Sequence, residues 1–333
     1  MPKNIIICCD GTGNEFGTNN TNVVVTYQLA TKDDTQMAVY DPGVGTGGWE
    51  FNESTGGLKA ISAKATGEGV QKNVNDAYRA LMHHYEPDDK VFLFGFSRGA
   101  FTARSLAGML RKVGLLGEEH ENLLEYATKL YNTKPTNKNQ NSNISKEFKA
   151  TFSVRCPVHF IGVWDTVNST LLNEGKRFAN AKLNPDVSHA YHAIAIDERR
   201  KDFPVYLWDH PNKEGNSRSV QQVWFPGVHS DVGGWYPERG LANGALRWMM
   251  SKAAKHGMKI DKAVLKAGFA PSPKDKIHES YSGFWLFRGD DQRMIPPNSL
   301  FHRSVEKRRS GGVGYDPSNV SANPMYVDDD PAL

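Results

Sequence analysis

The chain has 333 residues, of which 39% are apolar and 23% charged, and its formal net charge is +3. This length accommodates one large α/β domain or two ordinary ones, and the composition is typical of a soluble globular protein. The small net charge gives no indication of a nucleic-acid partner, and no stretch approaches the roughly 20 apolar residues of a membrane span. The three cysteines have neither disulfide nor metal-ligand spacing.

The first predicted element is a buried strand, Asn4–Cys9, which ends in the glycine-rich turn Asp10–Asn14. This apolar run is too short for a signal peptide. We therefore expect a protein that is cytoplasmic as synthesised and that, if exported, leaves by a route for folded proteins. The turn lacks the Lys-Ser/Thr ending of a P-loop and the third glycine of a dinucleotide fingerprint, which argues against nucleotide binding. We expect Asp10 to brace the turn, with cation binding as the alternative.

Two elements precede the next motif. The apolar run Met37–Tyr40 predicts a second strand, and the glycine-rich loop Asp41–Gly48 after it is expected to lie over or near the functional site. Apolar residues recur at helical spacing over Gly67–Tyr85, which predicts an amphipathic helix. The segment Glu86–Asp89, which contains a proline, ends that helix.

The most informative motif is a G-x-S-x-G pattern formed by Gly95, Ser97 and Gly99. The apolar run Val91–Phe94 before it predicts a buried strand, and small and apolar residues over Ala100–Val113 predict a helix directly after it. This five-residue pattern alone arises often by chance, in which case the turn only joins a strand to a helix. The strand–turn–helix context favours the other interpretation, a nucleophilic serine raised above the sheet.

A serine is a weak nucleophile unless a base accepts its proton and donors stabilise the oxyanion that forms. The turn itself would supply one donor, the backbone amide of Arg98. In serine hydrolases a glycine-rich turn after an early strand supplies a second amide. Gly11 or Thr12 would be that donor here.

After the nucleophile helix the sequence becomes polar over residues 117–152, and we interpret this range as an insertion of the kind that often forms a substrate lid. A helix is predicted over Glu119–Tyr131. The asparagine-rich run Asn137–Asn143 is predicted to be a mobile surface loop.

The next buried strand, Val158–Trp164, ends at Asp165. An acidic residue at the end of a strand, on the same sheet edge as Ser97, is where the acid of a catalytic triad would lie. A turn-capping aspartate is the alternative. Residues 168–209 are interpreted as a second insertion, with a helix predicted over Val187–Glu198.

A further strand, Val220–Gly227, leads into a glycine-rich loop that begins with His229. A histidine at a strand end is well placed to act as a general base. The chain order Ser97, Asp165, His229 is that of the α/β-hydrolases. Asp231 and His302 are the alternates for the acid and the base.

A different function would use Asp10, His229 and Asp231 around a metal ion, as in a metal-dependent phosphodiesterase or phosphatase. A third alternative is a non-catalytic binding protein on a hydrolase scaffold. The Ser-Asp-His interpretation requires neither a metal nor a cofactor, and we adopt it. An amphipathic helix is predicted over Leu241–His256, and from about residue 270 to 333 we expect a largely loop-like C-terminal extension of a single domain, 1–333.

Several segments together resemble one family. They are Ile5–Asn14, Gly95–Arg104, Gly162–Val167, Trp224–Gly234 and Leu300–Val305. The family is a widespread group of α/β-hydrolases, long filed as a domain of unknown function, that includes phospholipase and lipase effectors of the type VI secretion system. The resemblance covers about residues 3 to 320.

This resemblance implies an α/β-hydrolase fold, with a mostly parallel central sheet flanked by helices and lid-like insertions. It places the nucleophile motif on Ser97, the acid motif on Asp165 and the base motif on His229. It also implies a carboxylic ester hydrolase of the esterase, lipase or phospholipase class, acting on an acyl ester or phospholipid. Transient contact with a membrane surface and an immunity or secretion-machine partner are compatible with this family.

Overall fold

The structure of the protein is a computed structural model. It describes residues 1–11, 14, 16–43, 67–133, 140–167, 183–209, 212–213, 215 and 217–333. Thr12 and most of the loop predicted over Asp41–Gly48 lie outside these residues.

Ten strands are found in the described part of the chain. They are β1 (Asn4–Cys9), β2 (Gln36–Asp41), β3 (Lys90–Phe96), β4 (Leu115–Leu116), β5 (Ser153–Val154), β6 (Val158–Trp164), β7 (Val187–Ala195), β8 (Ser219–Phe225), β9 (Leu300–His302) and β10 (Met325–Val327). Eight of them form one sheet in the order β10-β9-β8-β7-β6-β3-β1-β2. Each pairing in this sheet is parallel, whereas β4 and β5 form a separate antiparallel pair.

The described helices lie between these strands in the chain. They are α1 (Asn22–Leu29), α2 (Gly67–His84), α3 (Arg98–Val113), α4 (Leu124–Asn132), α5 (Gln140–Phe152), α6 (His229–Gly233), α7 (Gly240–Lys255), α8 (Lys262–Gly268) and α9 (Arg303–Arg309), with 3-10 helices at Glu118–Leu123 and Gly283–Phe287. No helix in the described ranges is long and apolar enough to cross a membrane.

The central strands of the sheet are buried on both faces, as expected for parallel strands that are covered by helices. In β1, Ile5 and Ile7 belong to the core that includes α2 and α3, whereas Ile6 and Cys8 belong to the core that includes α1 and α7. Successive side chains of a strand point to opposite faces, so a continuous apolar run is what a doubly covered strand requires. The predicted α/β fold with a mostly parallel sheet flanked by helices is confirmed.

The helix predicted over Val187–Glu198 is wrong, because this segment contains strand β7 in the middle of the sheet. Its side chains are distributed over both cores, with Ala190 on one face and Tyr191 and Ala193 on the other. A short apolar run of this kind fits either a helix or a doubly buried strand by its periodicity alone. This part of the range 168–209 therefore belongs to the central sheet and is not an insertion.

The range 117–152 is delimited by the β4–β5 pair. Its helix α4 packs Leu124 and Ala127 into the core beside α3. Helix α5 begins at Gln140, so the second half of the asparagine-rich run is helical, which corrects that part of the loop prediction. Lys149 Nζ donates to Arg111 O at 2.9 Å and Lys112 Nζ donates to Tyr131 O at 2.9 Å, and both contacts lie near the end of α3 remote from Ser97. A lid role for this range stays a prediction.

The C-terminal extension is more regular than predicted, because β9 and β10 extend the sheet and α9 lies between them in the chain. The parallel arrangement places the carboxyl ends of β3, β6 and β8 on one edge. Ser97 and Asp165 directly follow β3 and β6, and His229 lies four residues after β8. Ligands of open α/β sheets bind at this edge.

Candidate active site

Ser97 occupies a sharp turn between β3 and α3. Its backbone has φ +58° and ψ −121°, a conformation that a residue with a side chain adopts only under constraint. Two glycines make the turn possible, because a Cβ on Gly95 would lie 2.4 Å from the carbonyl oxygen of Gly99, and one on Gly99 would lie 2.1 Å from that of Cys9. The predicted strand–turn–helix around the serine is confirmed.

His229 connects Ser97 to Asp165 through the two nitrogens of its ring. Nε2 lies 2.9 Å from Ser97 Oγ, and Nδ1 lies 2.5 Å from Asp165 Oδ2. In the tautomer that fits both contacts, Nδ1–H donates to the carboxylate and Nε2 accepts from the hydroxyl. The ring lies 4.6 Å from the Phe96 ring and 5.1 Å from the Phe203 ring, which is oriented edge-on to it. These aromatic contacts fix the imidazole in a largely apolar surrounding.

Asp165 is fully buried at the end of β6 and has φ +40°. Its carboxylate accepts the Ala195 amide at 2.9 Å and two N–H groups of Arg293, at 2.6 Å and 2.9 Å, besides the His229 ring. Burial opposes ionisation, but the Arg293 guanidinium and the His229 hydrogen bond outweigh it and hold the pKa of Asp165 well below its usual range. The carboxylate is therefore charged at physiological pH.

Helix α6 begins at His229, and a buried carboxylate fixes this end of the helix. Glu198 Oε2 accepts the His229 backbone amide at 3.2 Å. Arg200 donates to the same carboxylate from Nε at 2.8 Å and from Nη2 at 2.9 Å, and Ser280 Oγ donates at 3.1 Å. Burial alone would raise the pKa of Glu198, but the hydrogen bond and charge of Arg200 prevail and lower it to about 2.

The imidazole of His229 is almost completely buried. Burial lowers its pKa below the ordinary value, although the hydrogen bond and charge of Asp165 act in the opposite direction. The ring is therefore neutral near pH 7, which is the state that can accept a proton from Ser97.

The glycine-rich turn after β1 lies beside the serine, since a Cβ built on Gly11 would be 3.3 Å from Ser97 Cβ. The Gly11 amide, however, donates to Asp10 Oδ1 at 2.7 Å. In this conformation the neighbouring carboxylate occupies the N–H of Gly11. Of the two alternative donors predicted, this leaves Thr12, which lies outside the described residues. Arg98 is the first residue of α3, where backbone N–H groups have no partner within the helix.

The alternates for acid and base lie in other hydrogen-bond networks. Asp231 pairs with His278, whose Nδ1 lies 2.6 Å from Oδ1. The His302 ring contacts Ser304 and Asp329 and stacks on a phenylalanine ring. Neither side chain has a described hydrogen bond to Ser97 or His229.

Asp10 also serves a local role, since it accepts from Thr21 Oγ1 at 2.8 Å and Tyr40 Oη at 2.9 Å, and burial raises its pKa to about 6. It braces the turn, as expected. The metal alternative required Asp10, His229 and Asp231 in one cluster. Each has different partners, and within the described residues no group of three His, Cys, Asp or Glu side chains could hold a metal ion.

Sequence reasoning missed Arg293, Glu198 and Phe203. Glu198 stands in a charged run that is typical of a solvated surface, and Phe203 follows it without a recognisable motif. Arg293 lies 128 residues from Asp165 in the chain, in a segment without periodic pattern. Only the folded structure brings these side chains to the triad.

Fold and site together define the class of protein: an α/β hydrolase-type fold with a Ser-His-Asp hydrogen-bonded chain at the carboxyl edge of its sheet. A family model described as the catalytic domain of Tle1-like phospholipase effectors of the type VI secretion system (T6SS) matches residues 3–252. The chain therefore belongs to this family.

The individual proteins that this chain matches are covered only in part. The uncharacterized protein YEL023C of Saccharomyces cerevisiae is 34% identical over an alignment of 217 residues, and the match covers 60% of this chain and 32% of that protein. The chain thus spans about a third of this relative.

Two solved structures are similar to part of this chain. An uncharacterized protein from Pseudomonas aeruginosa has 16% identity and a TM-score of 0.45, over 82% of this chain and 49% of its own. The Tle1 effector bound to the VgrG spike has 19% identity and a TM-score of 0.37, over 71% of this chain and 52% of its own.

Proposed function

We propose that the chain is a serine hydrolase that cleaves carboxylic esters of lipids, of the phospholipase type, with Ser97 as nucleophile, His229 as general base and Asp165 as the acid. The observation that carries this proposal is the continuous hydrogen-bonded chain from Ser97 Oγ through the His229 ring to Asp165. Membership of a phospholipase effector family supports the ester chemistry.

In the proposed reaction, Ser97 Oγ attacks the acyl carbonyl carbon while its proton passes to His229 Nε2. Asp165 stabilises the imidazolium that results. The Arg98 amide donates to the oxyanion, with a second donor proposed from the turn after β1. The proton on Nε2 then moves to the leaving alcohol oxygen as the C–O bond breaks, and an acyl-enzyme remains. Water, activated by His229, releases the carboxylic acid and regenerates Ser97.

A lipid rather than a small soluble ester is supported by the surface beside the site. From His229, the Phe203 ring leads to the Trp285 ring at 5.3 Å, and the next two residues, Leu286 and Phe287, are 56% and 89% exposed. Met294, directly after Arg293, is 91% exposed. Apart from Met1, these side chains and Phe16 are the four most exposed large apolar ones among the described residues. Large exposed apolar side chains in segments that adjoin the site favour an interaction surface there.

The segment that presents these side chains is attached to the body of the protein. Arg288 pairs with Asp202, and Arg199 pairs with Asp290, so two ion pairs join the segment to the residues just before Phe203. The Lys201 amide also donates to Gly289 O at 3.1 Å. Because the backbone is fixed in this way, the exposure of Leu286 and Phe287 is a property of the folded surface. It would allow the site to meet a lipid–water interface.

The proposal is tested by measuring hydrolysis of phospholipid in mixed micelles and of short soluble esters by the wild type and by Ser97→Ala. We expect the variant to lose turnover of both while keeping its fold, and the wild type to prefer the phospholipid. Circular dichroism and thermal melting serve as the control for folding. Undiminished hydrolysis by folded Ser97→Ala would contradict the nucleophile, and activity on soluble esters alone would contradict the lipid substrate.

A further inference from the structure

The triad acid has a second charged partner that belongs to neither the nucleophile nor the base. The guanidinium of Arg293 meets the Asp165 carboxylate edge to edge, with Nη1 2.6 Å from Oδ1 and Nη2 2.9 Å from Oδ2. The same two nitrogens donate to Ala195 O at 2.8 Å and Phe203 O at 3.0 Å. Arg293 is only 7% exposed, so this bidentate pair is almost free of solvent screening.

Arg293 joins three separate parts of the site. Asp165 directly follows β6 and Ala195 ends β7. Phe203 lies after β7, and its ring packs edge-on against His229. The backbone of Arg293 is itself held, since Asn319 Nδ2 donates to Arg293 O at 3.0 Å. The Arg293 side chain thus fixes Asp165 relative to Phe203, the residue whose ring packs against His229.

Arg293 lies beyond residue 252, where the match to the catalytic-domain family model ends. The C-terminal extension therefore contributes directly to the site. A role of Arg293 in the triad is an addition to the Ser-His-Asp arrangement and does not follow from the family match.

The charge arrangement has a chemical consequence. In a Ser-His-Asp triad the carboxylate orients the imidazole and stabilises its cationic form. Here the negative charge of Asp165 is shared between the His229 ring and a permanent cation. Arg293 therefore keeps the carboxylate ionised and in one rotamer, and it weakens the attraction that Asp165 exerts on the second proton of His229.

We propose that Arg293 is a positioning residue of the triad. It holds the Asp165 carboxylate in its catalytic orientation and weakens the electrostatic attraction between this carboxylate and the imidazolium form of His229. The proposal deepens the proposed function and rests on it for its catalytic meaning, whereas the electrostatic coupling between Arg293 and His229 can be measured independently of turnover.

Other charged or titratable groups near this pair stay unchanged in the test. The charge of Arg200 lowers the pKa of His229, and the charge of Glu198 raises it. On the other side, His192 interacts with Asp165, Arg293 and Arg104, and burial lowers the pKa of His192 to about 3, so it stays neutral over the accessible pH range.

Replacing Arg293 with Met removes the cation, its two hydrogen bonds to Asp165 and those to Ala195 O and Phe203 O. An opposite charge at this distance shifts a carboxyl pKa by roughly 1–3 units. Without it, both Asp165 and His229 bind protons more tightly. We expect the titration midpoint of His229 and the acid limb of the pH profile of kcat/KM to move upward by about one unit. Loss of the fixed geometry should lower kcat by about 10- to 100-fold.

The experiment combines two readouts on full-length wild type, Arg293→Met and Arg293→Lys. The first is an NMR pH titration of proteins with isotope-labelled histidine, in which the His229 signal is assigned by its absence in His229→Gln. The second is the pH profile of Ser97 labelling by a fluorophosphonate. Arg293→Lys keeps the charge without the planar fork, so we expect its titration midpoint near that of the wild type and a partial loss of rate. Should Arg293→Met fail to fold, Arg293→Gln takes its place.

Arg303→Met is the matched control, because Arg303 pairs with the exposed Asp328 and Glu306 near the C-terminus. It should leave the His229 titration unchanged. An unchanged midpoint in the charge-removing Arg293 variant, or an equal shift in the control, would overturn the proposal. Ser97 of the wild type could fail to react with the fluorophosphonate while Arg293→Met still shifts the His229 midpoint. That result would uphold the coupling between Arg293 and His229 and refute the hydrolase function.

Discussion

Replacing Asp165 with Asn tests the triad at its most constrained position. The carboxylate accepts from His229, from the Ala195 amide and twice from Arg293. The Asn side chain has one oxygen in place of two, and its NH2 group would face an N–H donor on either side. If the NH2 takes the position of Oδ2, His229 can no longer donate from Nδ1. Its proton then moves to Nε2, which can no longer accept from Ser97.

The expected loss in kcat is about 10,000-fold, which corresponds to about 5.4 kcal/mol in activation free energy. The same change weakens a buried ion pair. Complete removal of one partner of such a pair costs about 3–5 kcal/mol of stability, so the melting temperature should also fall. The assay is kcat for ester hydrolysis, measured below the melting transition of the variant.

Asp328→Asn is the matched control for this substitution, because Asp328 pairs with Arg303 at an exposed position. We expect it to change the free energy of unfolding by less than about 0.5 kcal/mol and to leave kcat unaffected. A folded Asp165→Asn enzyme with kcat within tenfold of the wild type would refute the assignment of the acid. Asp231 would then be the next position to test.

Three further predictions concern the base, the turn and the surface. Because burial lowers the pKa of His229, this base stays neutral to lower pH than a free imidazole. The acid limb of the pH profile of kcat/KM should therefore lie below about pH 6.5. An acid limb above pH 7 would contradict the buried environment of His229. Gly99→Ala places a Cβ 2.1 Å from Cys9 O, so we expect the variant to lose either its fold, measured by thermal melting, or labelling of Ser97, measured by mass spectrometry. Wild-type stability and labelling in this variant would refute the described turn. Phe287→Ser should lower hydrolysis of phospholipid vesicles several-fold without changing that of a soluble ester. Val264→Ser is the control at an apolar site on α8 that is 47% exposed, against 89% for Phe287, and it should change neither activity. Equal effects of Phe287→Ser on both substrates would contradict a role at the lipid interface.

Much of the scaffold was predictable because parallel strands buried on both faces need continuous apolar runs. This signal located β1, β3, β6 and β8 within a few residues. Strand ends on one edge then indicated Ser97, Asp165 and His229, which the structure brings together. The three side chains can be placed near one another from the sequence because each residue lies at or near a strand end, where local sequence determines its place.

Other features depend on contacts that no local pattern encodes. β7 was mistaken for a helix because its apolar run fits both periodicities, and only its neighbours in the sheet decide between them. Arg293 approaches Asp165 across 128 residues of chain, through a segment held by tertiary contacts. The sequence left Gly11 and Thr12 as alternative oxyanion donors, and it does not reveal that the adjacent Asp10 carboxylate accepts the Gly11 amide.

The central claim is that Ser97 is an activated nucleophile, and covalent labelling tests it most directly. Wild type, Ser97→Ala and His229→Ala would be treated with a fluorophosphonate and their adducts located by peptide mass spectrometry. The account predicts one adduct on Ser97 in the wild type, no adduct in Ser97→Ala and a large loss of labelling rate in His229→Ala. A folded wild type that forms no adduct on Ser97, or one labelled equally fast without His229, would contradict it.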